Sequence, residues 1–138
     1  RIGYALAPRE TIATFQKIRL HYGINRNAQV GALASLHDDE FRRSVVRDTA
    51  AAREDYVHLA ESLGLSTLAS RTNFVCIDVG NAQRATGVMN ELLQRYGVWI
   101  RKPGAPPLDR YVRVSAGTLP MRQAFERAFR SVLQEVPA

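Results

Sequence analysis

The stretch Tyr111-Val112-Arg113-Val114-Ser115-Ala116-Gly117-Thr118 decides how the second half of this chain is read. A strand pattern runs into a small-residue turn, and a helical pattern, Leu119 to Val136, follows at once. Alternation puts Val112 and Val114 on one face and turns Arg113 to the other, between Tyr111 and Ser115. A strand arginine must meet an anion or a solvated surface. Upstream, strand patterns recur over Asn73 to Val79 and Val98 to Arg101, with a helical pattern, Ala82 to Tyr96, between them. This order predicts a compact α/β unit with helices against one face of a small sheet. The loop Lys102 to Arg110 holds Pro103, Gly104, Pro106 and Pro107, so it is stiff and cannot pair as a central strand.

Toward the amino terminus the pattern becomes helical. Asp38, Asp39 and Glu40 place acceptors and negative charge at the start of a long helix that runs to Leu63, with Gly64 as its stop. Phe41, Val45, Thr49, Ala52, Tyr56, Leu59 and Leu63 alternate steps of three and four and form one seam. At 1.5 Å per residue this helix spans about 35 to 40 Å, enough to bridge two lobes. Before it, Asn27 is expected to cap a small-residue helix, Ala28 to Leu36, in which Gly31 argues for close packing. Ile12, Phe15, Ile18 and Tyr22 predict an earlier amphipathic helix, Glu10 to Tyr22, capped by Gly23. The opening residues, Arg1 to Pro8, read as a short apolar strand with no start signal before it, from which an upstream half is expected.

At 138 residues the chain is one domain's worth, or one and a piece. Its apolar runs fall far short of the roughly 20 residues that cross a bilayer, so a soluble, cytoplasmic protein without a membrane partner is expected. The lone cysteine, Cys76, sits between Val75 and Ile77 and is expected to be a small buried apolar residue rather than a nucleophile. A net charge of +6 raises nucleic acid as a partner, but Arg42, Arg43, Arg47 and Arg53 share their helix with Asp48, Glu54 and Asp55. That is an offset, solvated face, and no basic cluster with interleaved aromatics is present.

Reactive side chains are sparse. His21, His37 and His58 have no metal-ligand spacing, and Ser44, Ser115 and Thr118 have no nearby histidine to activate them. Lys17 belongs to a polar helix face and Lys102 to a loop, so neither has the buried setting that suits a lysine for carbonyl chemistry. What remains is arginine at strand ends, whose planar fork of donors suits carboxylate or phosphate. For Arg113 the residues alone leave two readings open: an edge-strand arginine in water or paired with an acid such as Asp109, or capture of a substrate carboxylate.

Four segments, in order, carry a family resemblance: Arg1-Ile2-Gly3-Tyr4, Thr72-Asn73-Phe74-Val75, Gly97-Val98-Trp99-Ile100-Arg101 and Tyr111 to Thr118. Together they resemble the carboxy-terminal portion of histidinol-phosphate aminotransferases, within the aspartate aminotransferase-like, fold-type I group of pyridoxal-phosphate-dependent enzymes. The resemblance implies an α/β fold made of a remnant of the large domain (1–36), a long connecting helix (37–64) and a small carboxy-terminal α/β domain (65–138). It implies Arg1 as the ligand of the pyridoxal 5'-phosphate phosphate group and Arg113 as the partner of the substrate α-carboxylate. Asn25 and Arg26, in the loop before the small-residue helix, are implied as substrate-binding residues in a homodimer. It places the lysine that bears the cofactor before residue 1, so no catalytic residue is expected in 1–138 and the fragment alone is expected to be inactive. Leu119-Pro120-Met121 departs from the family, which commonly has an acid there; proline is tolerated in a first helical turn, so a cap changes more than a site. The implied activity is amino-group transfer between an amino acid and a 2-oxo acid. The alternatives are a decarboxylase of phosphorylated amino acids and a non-catalytic binding or oligomerisation module.

Overall fold

The computed structural model describes residues 2–136, which fall into two compact units that divide between Val45 and Val46, inside a helix.

The second unit holds the core. Strands β1 (Phe74–Asp78) and β2 (Tyr111–Ser115) pair antiparallel, with Val75 opposite Val114, Cys76 opposite Arg113 and Ile77 opposite Val112. A single bridge widens the sheet on each side, Thr67 to Ile77 and Arg101 to Arg113. The expected strand from Val98 to Arg101 is therefore reduced to one bridging residue. Gly97 at φ 63° has just ended the preceding helix, and the Pro103 loop begins two residues after Arg101, so no room is left for a ladder.

Numbering helices in chain order, α1 is Arg9–Ile18, α2 Arg26–His37, α3 Asp39–Ser62, α4 Ala82–Tyr96 and α5 Leu119–Glu135. The sheet face carrying Val75, Ile77, Val112 and Val114 is buried with Val88 and Leu92 of α4, Phe125, Phe129 and Val132 of α5, and Tyr56, Leu59 and Ala60 of α3. Each large apolar side chain hidden here contributes about 1.5–3 kcal/mol. Both ends of α4 are closed: the Asn81 side chain accepts from the Arg84 amide at 2.8 Å, and beyond Tyr96 the Gly97 and Val98 amides donate back to Leu93 and Leu92. Gly64, at φ 70°, stops the chain after α3 as expected. Pro120 sits in the first turn of α5, where a missing N–H costs nothing. The loop before β2 closes in a 3-10 turn, Leu108–Arg110.

In the first unit several boundaries differ from expectation. Helix α1 ends at Ile18, because Arg19 is already extended (ψ 132°), and Leu20 to Gly23 form a turn in which the Gly23 amide donates to the Leu20 carbonyl. Helix α2 is capped by Asn25 rather than Asn27: the Asn25 Oδ1 accepts from the Asn27 amide at 2.7 Å. Residues 2–8 form no strand, since no partner strand among the described residues supplies a ladder. Asp38 caps α3 by accepting from the Phe41 amide at 2.9 Å. The close packing expected of Gly31 is not met: apart from the backbone of α2 itself and its chain neighbours, nothing among the described residues lies within 4 Å of where its Cβ would stand.

Candidate functional site: an unneutralised arginine pair on the open sheet face

With Val112 and Val114 turned into the core, alternation leaves Arg113 on the open face of the sheet, half-buried. Its guanidinium lies over the ring of Phe74, 4.8 Å from the centroid. Phe74 is the diagonal neighbour across the strands, being paired with Ser115 while Arg113 is paired with Cys76. Such a contact is worth about 0.5–1 kcal/mol at a partly exposed site. The pairing with Asp109 allowed by the residues alone is not formed. The Asp109 carbonyl instead accepts from Lys102 at 3.4 Å, and among the described residues no carboxylate pairs with Arg113.

On the other side of β2 the backbones of Arg113 and Arg101 exchange hydrogen bonds, the Arg101 amide donating at 3.1 Å and the Arg113 amide at 2.6 Å. Residues paired in this way project their side chains to the same face. Arg101, exposed and without a carboxylate partner among the described residues, thus stands beside Arg113. Sequence reasoning quoted Arg101 as the end of a motif but gave it no role. The signal that could have found it was the pairing of a short strand end with the strand that carries Arg113.

Cys76 lies across from Arg113 on the same open face and is only half-buried, so its apolar surroundings are one-sided. Burial pushes its thiol up, and the nearby Arg113 charge partly offsets this.

The remaining sequence candidates lie elsewhere. Arg1 falls outside the described residues. Asn25 and Arg26 belong to the first unit, where an open hollow is lined by Ile2, Gly3, Gly23, Asn25, Asn27 and Ala28, and the Asn25 oxygen is engaged in capping α2. Lys17 is exposed in the last turn of α1. Among the described residues no group of three His, Cys, Asp or Glu could hold a metal ion, and no helix is long and apolar enough to cross a membrane.

Residues 1–129 match the family of class I and II aminotransferases. The chain belongs to that family. It is 34% identical over 137 residues to the histidinol-phosphate aminotransferase of Desulfotalea psychrophila, covering 99% of this chain and 35% of that protein. Against histidinol-phosphate aminotransferase 1 of Cupriavidus pinatubonensis it is 34% identical over 134 residues, covering 97% of the chain and 36% of the relative. The crystal structure of histidinol-phosphate aminotransferase from Sinorhizobium meliloti, in complex with pyridoxal-5'-phosphate, superposes on 93% of this chain and 35% of its own, with a TM-score of 0.83 at 32% identity. The fold is therefore that of part of an aminotransferase. The chain spans about a third of the length of the curated relatives it matches.

Proposed function

We propose that this chain is the carboxy-terminal part of a pyridoxal-phosphate-dependent aminotransferase of the histidinol-phosphate type, which moves an amino group from an amino-acid-like donor to a 2-oxo acid. The observation that carries the proposal is Arg113: a guanidinium over Phe74, 4.8 Å from the ring centroid, beside Arg101, with no carboxylate partner among the described residues, in a chain of the aminotransferase family. A planar fork so placed accepts a carboxylate through two parallel hydrogen bonds and sets the angle at which the rest of the substrate is presented. Arg101 supplies a second positive charge at the same edge, suited to a substrate that carries another anionic group.

Bound pyridoxal phosphate would supply the electron sink for the chemistry. Of the two lysines, Lys17 is exposed in the first unit, and Lys102, next to Arg101 in the chain, donates to the Asp109 carbonyl. We assign this chain's share in holding the cofactor to Arg1, and its share in the reaction is to bind and orient the donor. Residues 1–36 are assigned to the large domain, 37–64 to a connecting helix and 65–138 to the small domain, with Asn25 and Arg26 near substrate in a homodimer. The many large apolar side chains left exposed between Ile2 and Val45 support burial of that surface in the complete assembly. A cytoplasmic location fits the absence of any helix apolar enough to span a membrane among the described residues.

The test is Arg113→Lys in the complete enzyme, which keeps the charge and removes the fork. Losing one charge-assisted pair is expected to cost about 2–4 kcal/mol, roughly 30-fold to 1000-fold in kcat/KM for the amino donor, with normal cofactor absorbance. An unchanged kcat/KM would mean that Arg113 does not hold the carboxylate.

A further inference from the structure

Tyr56 of α3 has its ring in the core and its hydroxyl at the edge of it. Its ring belongs to the core: it is 3% exposed and meets Phe125 edge-on, with centroids 5.4 Å apart at 83°. Phenylalanine would fill that space equally well. The hydroxyl reaches past the core to donate to the Ser115 carbonyl at 3.1 Å, and the Gly117 amide faces the phenol oxygen. Burial, the largest influence on this phenol, pushes its pKa up and keeps it protonated as a donor.

Ser115 is the last residue of β2, two beyond Arg113, and the turn Ser115 to Thr118 is the exit from that strand. The turn has little slack. The Ala116 amide donates to the Asn73 carbonyl at 2.7 Å, and a Cβ on Gly117 would stand 3.1 Å from that of Met121. Next to Tyr56 on α3, Asp55 pairs with Arg122, whose own amide donates to the Thr118 carbonyl. Adjacent residues of α3 thus hold the strand exit and the first turn of α5. A strand is stiff along its length, so a shift at Ser115 is transmitted to Arg113, which must keep its register with Cys76 and its place over Phe74.

We propose that Tyr56 is a positioning residue: its hydroxyl, clasping the exit of β2, sets where the Arg113 guanidinium stands on the open sheet face. This rests on Arg113 being the carboxylate ligand. Tyr56 touches neither substrate nor cofactor; it acts through the Ser115 backbone.

The experiment compares Tyr56→Phe, Arg113→Lys and Val132→Ala with the complete parent enzyme, reading KM for the amino donor, kcat, Ki for a simple monocarboxylate competitor, and Tm. Tyr56→Phe is expected to raise KM and Ki together by about tenfold, the scale on which a sub-ångström misplacement is felt. Its kcat should stay within about twofold of the parent. Val132→Ala, a core truncation remote from the turn, should lower Tm and leave KM and Ki alone. Asp55→Asn, on an exposed residue, reads the same clasp from the neighbouring position and should raise KM in the same direction by a smaller factor. If Arg113→Lys raises KM and Ki while Tyr56→Phe and Asp55→Asn do not, the positioning role is wrong and Tyr56 merely packs. If Arg113→Lys itself leaves both constants unchanged, the carboxylate reading falls and the role of Tyr56 falls with it.

Discussion

Residues 2–45 and 46–136 follow the same local rules and part company at packing. Each stretch has an amphipathic helix and a helix capped by an asparagine side chain, yet no side chain in the first is buried, while the second encloses a core that includes Ile77, Leu92 and Phe129 at 0% exposure. In the first, Phe15, Ile18, Leu33 and Leu36 recur at helical spacing and stay exposed. The difference teaches that a helical apolar stripe reports a face that seeks cover, and says nothing of which polypeptide covers it.

The contrast breaks most readily under truncation of side chains. In the 138-residue chain, Phe129→Ala is expected to cost about 3–5 kcal/mol by denaturant unfolding, since it empties a fully buried site. Leu33→Ser should stay within about 0.5 kcal/mol, as exposed substitutions do. Comparable losses at the two positions would mean that the first unit has a core of its own.

A finer version uses one substitution in both units. Gly97 adopts φ 63° at the end of α4, a conformation that costs a side-chain-bearing residue about 1–2 kcal/mol, so Gly97→Ala should destabilise by that amount. Gly31 lies in the interior of α2 with open space where a Cβ would go, so Gly31→Ala should raise helix content there, by about 0.5–1 kcal/mol. Circular dichroism and thermal unfolding report both signs; the same sign at the two glycines would contradict the conformations described.

The smallest effect concerns the clamp between α4 and α5. Arg95 donates to Glu135, and this hydrogen bond is the main reason the Glu135 carboxyl titrates below its ordinary value of 4.5. A carboxyl depressed by folding adds stability that is fully present above its unfolded pKa and disappears as pH falls through the folded one. Both groups are exposed and screened, so Glu135→Gln should lower Tm only slightly at neutral pH, and the gap from the parent should close in acid. A gap that persists at pH 2 would assign the effect to packing.

Much of the second unit was legible because its signals are local. The helical pattern Ala82 to Tyr96 matches α4, Gly64 stops α3, and the alternation of Val112 with Arg113 correctly assigned faces to β2. The strand at Val98 to Arg101 was overread because β-branched residues speak for extended backbone but not for a partner of matching length. Residues 2–8 form no strand for want of a partner strand among the described residues, and Asn25 rather than the expected Asn27 caps α2 because Asn25 is the extended residue just before the helix. For the site, chemistry singled out Arg113. The Phe74 shelf depends on pairing between segments distant in sequence, whereas Arg101 ends the extended pattern Val98 to Arg101, whose pairing with β2 was the signal that could have found it.

The shelf under Arg113 has a consequence for time as well as for strength. A free arginine side chain carries about 2 kcal/mol of rotamer entropy, which a binding event ordinarily removes at the moment of contact. Here Phe74 and the strand pairing have already narrowed that freedom while the chain folds. A planar anion arriving at the sheet therefore meets a fork that is already set, and the gain appears chiefly as slower departure, a longer residence, rather than as faster encounter.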